Sequence, residues 1–484
     1  MIELPDTIPN RIDNADCFAR NLATFAKLSP SSGRRLFSVA RSGSEDVDAA
    51  VAAAAGAQPA WAALTPVRRG DLIRALAKLL EAQREDIAEI VALETGKSPK
   101  DALAETDGAV EMGYFVAGEG RRFYGKTTTS ALPNREAMVV RQPLGVAGLI
   151  IAANTPAANV AWKVFPALLC GNAAVLKAAE DTPATAYAFA LLAEQAGIPP
   201  GVFNVVQGFG EEAGAPLARH PSVDIVSFTG STSVGRQIQR DAADRLAKVC
   251  LELGGKNPFI VCDDADLDRA VDAAVLSAFS NAGQRCAAGS RIIVFDAVYD
   301  EFVARLLARV TTLRVGPDDD DDFGPVINES QLDSMLGTIE RARADGSRVL
   351  AGGARLERDG FFLGPTVIEN ADRASEISCS ELFGPIATLY RVGGFEEAIE
   401  VANDSPYGLT AAIHTTDLDR AHTFVARIRS GVASINGATY GSEPHMPFGG
   451  ERQSGNGFRE AGVEALDVYS DLKTVYINVD PSRV

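Results

Sequence analysis

Between residues 144 and 251 the chain alternates between five short apolar runs and four helix-patterned segments. The apolar runs are residues 145–152, 173–176, 202–206, 223–228 and 246–251. The segments between them, 157–169, 183–196, 211–219 and 233–243, carry helical patterning. A run of four to eight apolar residues without polar alternation has no face for solvent, so helices must cover it on both sides. Strands joined by such helices form a parallel sheet. Right-handed crossovers then make this stretch a Rossmann-like doubly wound unit.

The flanks read differently. Residues 45–120 are Ala-rich and charge-laced, with helices expected at 67–83 and 84–94 and a stop at Gly96. Residues 121–141 lose that period and contain Thr127-Thr128-Thr129 and Val139-Val140, which predicts a strand pair. After Glu252 a second α/β unit is expected. Its helices are placed at 267–279 and 299–310, and its strands at 291–294, 386–390 and 411–414. Five consecutive aspartates, 318–322, predict a solvated loop. The closing stretch 471–478 predicts an edge strand, a feature that often pairs with another chain.

At 484 residues the chain is long enough for more than one domain. A hydrophobic content of 46% with 23% charged residues is that of a globular protein. The net charge of −18 argues against nucleic acid or an anionic membrane surface as partner. No apolar run approaches the roughly 20 residues that a membrane helix needs. The first residues, Met1 to Asp6, have neither the basic region nor the apolar core of a signal peptide. The six cysteines include no CxxC pair and no zinc-type spacing, and the four histidines show no metal spacing. The expectation is a reduced, cytoplasmic protein without a metal.

One cysteine stands apart. Cys286 lies in Asn281-Ala282-Gly283-Gln284-Arg285-Cys286-Ala287-Ala288-Gly289, a small-residue stretch unlike a core strand. Arg285 beside it favours the thiolate, the nucleophilic form. Upstream, Glu252 sits in Leu251-Glu252-Leu253-Gly254-Gly255-Lys256, a carboxylate in an apolar, Gly-rich turn. A nucleophile and a separate carboxylate together point to covalent catalysis followed by general-base hydrolysis.

These two segments resemble the active-site signatures of the aldehyde dehydrogenase superfamily. Further blocks follow in the order expected of it: Asn154-Thr155-Pro156, Lys177-Ala178-Ala179-Glu180, Phe228-Thr229-Gly230-Ser231-Thr232, Glu381-Leu382-Phe383-Gly384-Pro385 and Pro447-Phe448-Gly449-Gly450. The resemblance spans nearly the whole chain. It implies an α/β fold with a Rossmann-like doubly wound cofactor domain (1–120 and 142–251) and a second α/β catalytic domain (252–445). It also implies a small β oligomerisation arm (121–141 and 468–484) and a return segment (446–467). A homodimer or homotetramer is expected.

The same resemblance implies that NAD, rather than NADP, takes hydride from a small-molecule aldehyde. Lys177 and Glu180 would hold the adenosine ribose, and a Glu beside the 2′-hydroxyl repels a 2′-phosphate. Gly230 and Ser231 would meet the pyrophosphate at a helix start. Ile150, Ile151, Phe228 and Leu253 would line the cofactor, and Glu381 and Phe383 would hold its nicotinamide end. Gly208-Phe209-Gly210-Glu211-Glu212-Ala213-Gly214 follows a strand and opens a helix, yet carries one residue too many for GxGxxG. Gly210 and Gly214 are placed along the adenosine end.

Cys286 is expected as nucleophile, Glu252 as base, and Asn154 with the Cys286 backbone N–H as oxyanion donors. By its position alone, Asn154 would equally serve as a helix cap. The substrate tunnel is assigned Asn159, Trp162, Arg285 and Phe448, with Tyr114, Phe115 and His445 as further wall candidates. The family commonly has Pro-Trp before the Asn and Phe after it; here Ala152-Ala153 and Thr155 stand there. With Asn159 one turn on, this implies a wider or more polar tunnel. Arg285 either anchors a substrate anion or is used structurally. The C-terminal block is similar to that of members acting on semialdehydes. A CoA-acylating relative is the nearest alternative, but such members typically lack the Glu found here at 252. A binding protein that lost catalysis and a cofactor-free thiol esterase are the others.

Overall fold

The computed structural model describes residues 2–483. Its first large sheet holds five parallel strands: β1 (Val146–Ile150), β2 (Ala173–Lys177), β3 (Phe203–Val206), β4 (Ile225–Gly230) and β5 (Lys248–Leu253). Their spatial order is 5-4-1-2-3. Every residue of β1, β2 and β3 is buried, so no polar alternation was possible in their sequences. The crossovers are α1 (Pro156–Leu169), α2 (Pro183–Gln195), α3 (Ala215–Arg219) and α4 (Thr232–Ala243). Proline occupies the first helical position of α1 and α2, where its missing N–H costs nothing.

Two details differ from the sequence expectation. The last strand begins at Lys248 rather than 246, because Leu246 closes α4 in a left-handed turn and is 91% exposed. The sheet is also not purely parallel. Asn10–Ile12 and Ala15–Cys17 form a hairpin that pairs antiparallel with β3 through Arg11 and Val205. Asp13 and Asn14 both adopt positive φ (55° and 57°), the geometry of a two-residue hairpin turn. The hairpin extends the β3 edge and was not foreseen.

The helical flank consists of Ser44–Ala63, Pro66–Ala82, Arg84–Thr95 and Pro99–Glu119. Gly96 ends the third of these at φ 73°, as expected of a left-handed cap.

The second sheet contains β6 (Pro258–Val261), β7 (Arg291–Phe295), β8 (Thr366–Glu369), β9 (Ile386–Val392), β10 (Thr410–His414) and β11 (Val432–Ile435), in the order 8-9-7-6-10-11. All six run parallel, and Arg348–Ala351 adds an antiparallel edge beside β8. A third sheet joins Lys126–Thr129, Arg135–Pro143 and β12 (Ser470–Asn478), with β12 at one edge. The expected closing strand therefore pairs first with its own chain.

Candidate active site

Order 5-4-1-2-3 means that the chain winds outward from β1 in one direction and from β4 in the other. The loops part between β1 and β4 and leave a crevice beyond the carboxyl ends of the strands. Ile150 and Ile151 end β1, and Phe228, Gly230 and Ser231 end β4 on the opposite side of that switch point. Ser231 caps α4, its hydroxyl accepting from the Val234 N–H at 3.4 Å. Lys177 and Glu180 follow β2 as an ion pair at 2.6 Å, the lysine buried and the carboxylate 42% exposed. An amine and an open carboxylate side by side fit the hydroxyls of a ribose.

The misfit in the Gly-rich loop has a structural explanation. Gly210–Gly214 forms a π-turn, closed by the Ala215 N–H on the Gly210 carbonyl. A π-turn spans one residue more than an α-turn, so the surplus residue is absorbed in the backbone. A Cβ on Gly214 would lie 3.9 Å from Lys177 Cδ and 4.0 Å from Ile150 Cδ1. The turn, the lysine and the end of β1 thus line one wall.

The chain leaves β5 through Glu252 and Leu253 and enters β6 through Gly254-Gly255-Lys256-Asn257. Two other loops converge there. Asn257 Nδ2 donates to the carbonyls of Cys286 (2.7 Å) and Ala288 (2.9 Å), and the Thr439 hydroxyl donates to that of Ala287 (2.6 Å). The nucleophile's backbone is pinned at three successive carbonyls. Just before it, Asn281, Ala282 and Gly283 all take left-handed φ values of 52°, 55° and 65°. A Cβ on Gly283 would fall 2.1 Å from the Gly384 carbonyl oxygen, so only glycine lets the two loops meet. Glu381 lies on the glycine turn itself, accepting from the Gly255 N–H at 3.1 Å. Phe383, at φ 55°, follows it.

The electrostatics of Cys286 set burial against the neighbouring Arg285 charge. Burial pushes its thiol up to about 12, and the carboxylates of Glu381 and Glu252 act in the same direction. The Ala287 N–H and the Arg285 guanidinium act the other way but are outweighed. Burial therefore outweighs the Arg285 charge, which acts in the direction that favours the thiolate.

Glu252 is buried, and neither carboxylate oxygen has a hydrogen-bond partner. Burial, then the nearby Glu460 carboxylate, hold it well above the ordinary carboxylate range. Glu460 is itself fully engaged, by Lys163 at 2.8 Å, by the Ser227 hydroxyl at 2.5 Å and by the Tyr469 hydroxyl at 3.2 Å. Of the two buried carboxyls, Glu460 is thus held by three side chains and Glu252 by none. Burial also lifts Glu381 to about 7 and lowers Lys256 to about 7.

Asn154 does not cap α1. Its amide donates to the Gln284 carbonyl at 2.9 Å, two residues before the cysteine. A side-chain amide carries two N–H donors, so a second remains for a ligand. Asn159 turns its amide back to the Thr155 carbonyl (3.0 Å) and hydroxyl (3.2 Å) and packs beneath Asn154. Trp162 and Phe448 meet edge to face at 5.5 Å. Arg285 lies 4.5 Å over the Tyr440 ring, and its Nε donates to the Ser280 hydroxyl at 3.3 Å. The Tyr114 hydroxyl donates to Glu81, and His445 is 57% exposed beside Glu443. The roles of Asn257, Thr439, Glu460 and Lys163 were not anticipated. Only Asn257 had a local signal, its place directly after the Gly-Gly-Lys turn.

A switch-point crevice facing a loop-borne cysteine, with a buried carboxyl and a side-chain amide between, defines a dinucleotide-dependent enzyme that works through a covalent thiol adduct. Residues 18–475 match the Aldehyde dehydrogenase family, and the chain belongs to it. It is 39% identical over 445 residues to an α-ketoglutaric semialdehyde dehydrogenase of Bacillus subtilis (strain 168), with 91% of each chain covered. Among solved structures it is similar to the betaine aldehyde dehydrogenase of Staphylococcus aureus in complex with NAD+. That likeness has a TM-score of 0.96 and 35% identity, and covers 98% of this chain and 95% of the other. It is also similar to an NADP-dependent enzyme of E. coli, with a TM-score of 0.95 and 37% identity over 98% of both chains. The chain is an aldehyde dehydrogenase. Among the described residues no helix is long and apolar enough to cross a membrane, and no cluster of His, Cys, Asp or Glu could hold a metal ion.

Proposed function

We propose that this aldehyde dehydrogenase uses NAD and water to oxidise an aldehyde that carries a second, anionic group, a semialdehyde. Cys286, its proton given up to water, attacks the aldehyde carbon as thiolate, and the free N–H of Asn154 with the Cys286 backbone N–H hold the resulting oxyanion. Bound NAD supplies the acceptor for the hydride that leaves this carbon. Glu252 then takes a proton from water, which attacks the thioester and releases the acid. Two observations support NAD: the open Glu180 carboxylate beside Lys177 and the NAD+ complex of the structural relative. The presence of Glu252 supports hydrolysis over transfer to CoA.

The observation that carries the substrate class is Arg285. Among the described residues no carboxylate lies within ion-pair distance of it, and it rests instead on Tyr440 next to the nucleophile. An arginine charge without a partner at a site is suited to a carboxylate of the substrate. The semialdehyde-oxidising relative at 39% identity agrees with this. NADH formation should be fastest in kcat/KM with succinic semialdehyde among propanal, benzaldehyde and succinic semialdehyde. Arg285→Ala should remove that preference, by about 10-fold or more, while leaving propanal turnover near wild type. Preference for propanal, or an unaltered preference in the variant, refutes the anionic substrate.

The domain assignment follows the same reading, with the crevice on residues 142–251 and the cysteine on 252–445. We place the enzyme in the cytoplasm as a homo-oligomer. The free edge of β12 and its exposed Leu472, Tyr476 and Ile477 support assembly. Truncation after Ser470 should lower the particle mass in light scattering.

A further inference from the structure

Asn154 is held by more than its own loop. Its carbonyl accepts from Lys97 Nζ at 2.9 Å and from Asn281 Nδ2 at 3.3 Å. Lys97 is in turn paired with Glu105 at 2.5 Å, both side chains being about 5% exposed (5% and 6%). The second Glu105 oxygen accepts from the Ala157 N–H at 2.8 Å, in the first turn of α1. Thr155, the residue in the capping position of α1, offers no side-chain cap. The Asn154–Ala157 turn is therefore fixed from beneath at both ends, by one buried ion pair contributed from the helical flank.

This matters because of what Asn154 must do. One of its amide N–H groups is committed to the Gln284 carbonyl, so the direction of the other depends on where the backbone of residue 154 sits. Oxyanion stabilisation needs a donor within a few tenths of an ångström of its place. A buried ion pair is a poor source of stability, because desolvation offsets most of the attraction. It is a good source of position, because both partners are confined in one geometry.

We propose that Lys97 and Glu105 are positioning residues for the oxyanion donor: they aim Asn154, and so act on the step that forms negative charge on the substrate oxygen. This rests on the reading of Asn154 as that donor. Neither residue touches substrate.

The test separates aiming from folding. Three variants are made: Glu105→Gln, which keeps an acceptor for Ala157; Lys97→Met; and the double variant, which leaves no unpaired buried charge. For each, the pre-steady-state burst of NADH is measured with propanal or succinic semialdehyde, whichever the wild type turns over faster. The rate of Cys286 alkylation by iodoacetamide and the Kd for NAD are measured beside it. Alkylation displaces iodide and builds no oxyanion on a carbonyl, so it reports the cysteine loop without the donor. The burst rate should fall about 10- to 100-fold, with alkylation and NAD binding within about twofold of wild type. An unchanged burst in any variant that folds and binds NAD overturns the proposal. So does a burst that falls in step with alkylation, since the pair would then merely hold the fold. Asn154→Ala is the control: if it leaves the burst intact, Asn154 is not the donor, and both readings fall.

Discussion

The two large sheets present opposite ends to the site. The first offers the carboxyl ends of its strands: Ile151 after β1, Lys177 and Glu180 at β2, Ser231 after β4 and Glu252 on β5. The second offers its amino ends: Asn257 just before β6, Cys286 before β7 and Glu381 before β9. Binding beyond the carboxyl ends of an open α/β sheet is a general rule, and only one half of this molecule obeys it. In the obeying half the ligand groups are set by topology. In the other half they are set by loops, which need left-handed residues, glycine contacts and pinned carbonyls to hold one geometry.

Substitutions can break this contrast. Cys286→Ser removes the loop-borne nucleophile and should cut dehydrogenation by at least about 10³-fold while NAD still raises the melting temperature. Retained activity would show that the second sheet does not carry the chemistry. Next in size, Glu252→Gln should lower the steady-state rate about 10²- to 10³-fold yet keep the first-turnover burst of NADH. A normal steady-state rate would remove Glu252 as base. Smallest is the first sheet. Lys177→Met should raise the KM for NAD about 10-fold with kcat nearly unchanged, since it removes binding rather than chemistry. A fall in kcat of equal size would mean that the two sheets do not divide the work.

The same contrast explains what was legible in the sequence. The strand–helix alternation gave the first sheet and its connections, because fully buried strands leave unbroken apolar runs. It missed the Asn10–Ile12 hairpin, whose three short residues have no periodicity to read. The site residues at 154, 252 and 286 were readable only through local motifs. Their supports were not. Lys97, Glu105 and Glu460 are charged residues in stretches rich in charge, and nothing along the chain marks their side chains as buried. Arg285 was seen and acts on Cys286 in the expected direction, but the opposing burial cannot be read from a neighbour in sequence.

The buried carboxyl of Glu252 should make this protein less stable than its Glu252→Leu variant. A buried polar group without a partner costs about 1–3 kcal/mol, so Glu252→Leu should melt a few degrees higher and do nothing. The gap has a pH signature. The folded-state pKa is raised, so the native chain holds a proton that the unfolded chain releases near 4.5. Below that pH ionisation adds no penalty; above it the wild type loses stability as the pH rises toward the raised folded-state pKa, and the advantage of the leucine variant should widen in that direction. Parallel melting curves across that range would show that the carboxyl is not strained by its burial. If that side chain is also the base, endurance and activity trade against each other at one position.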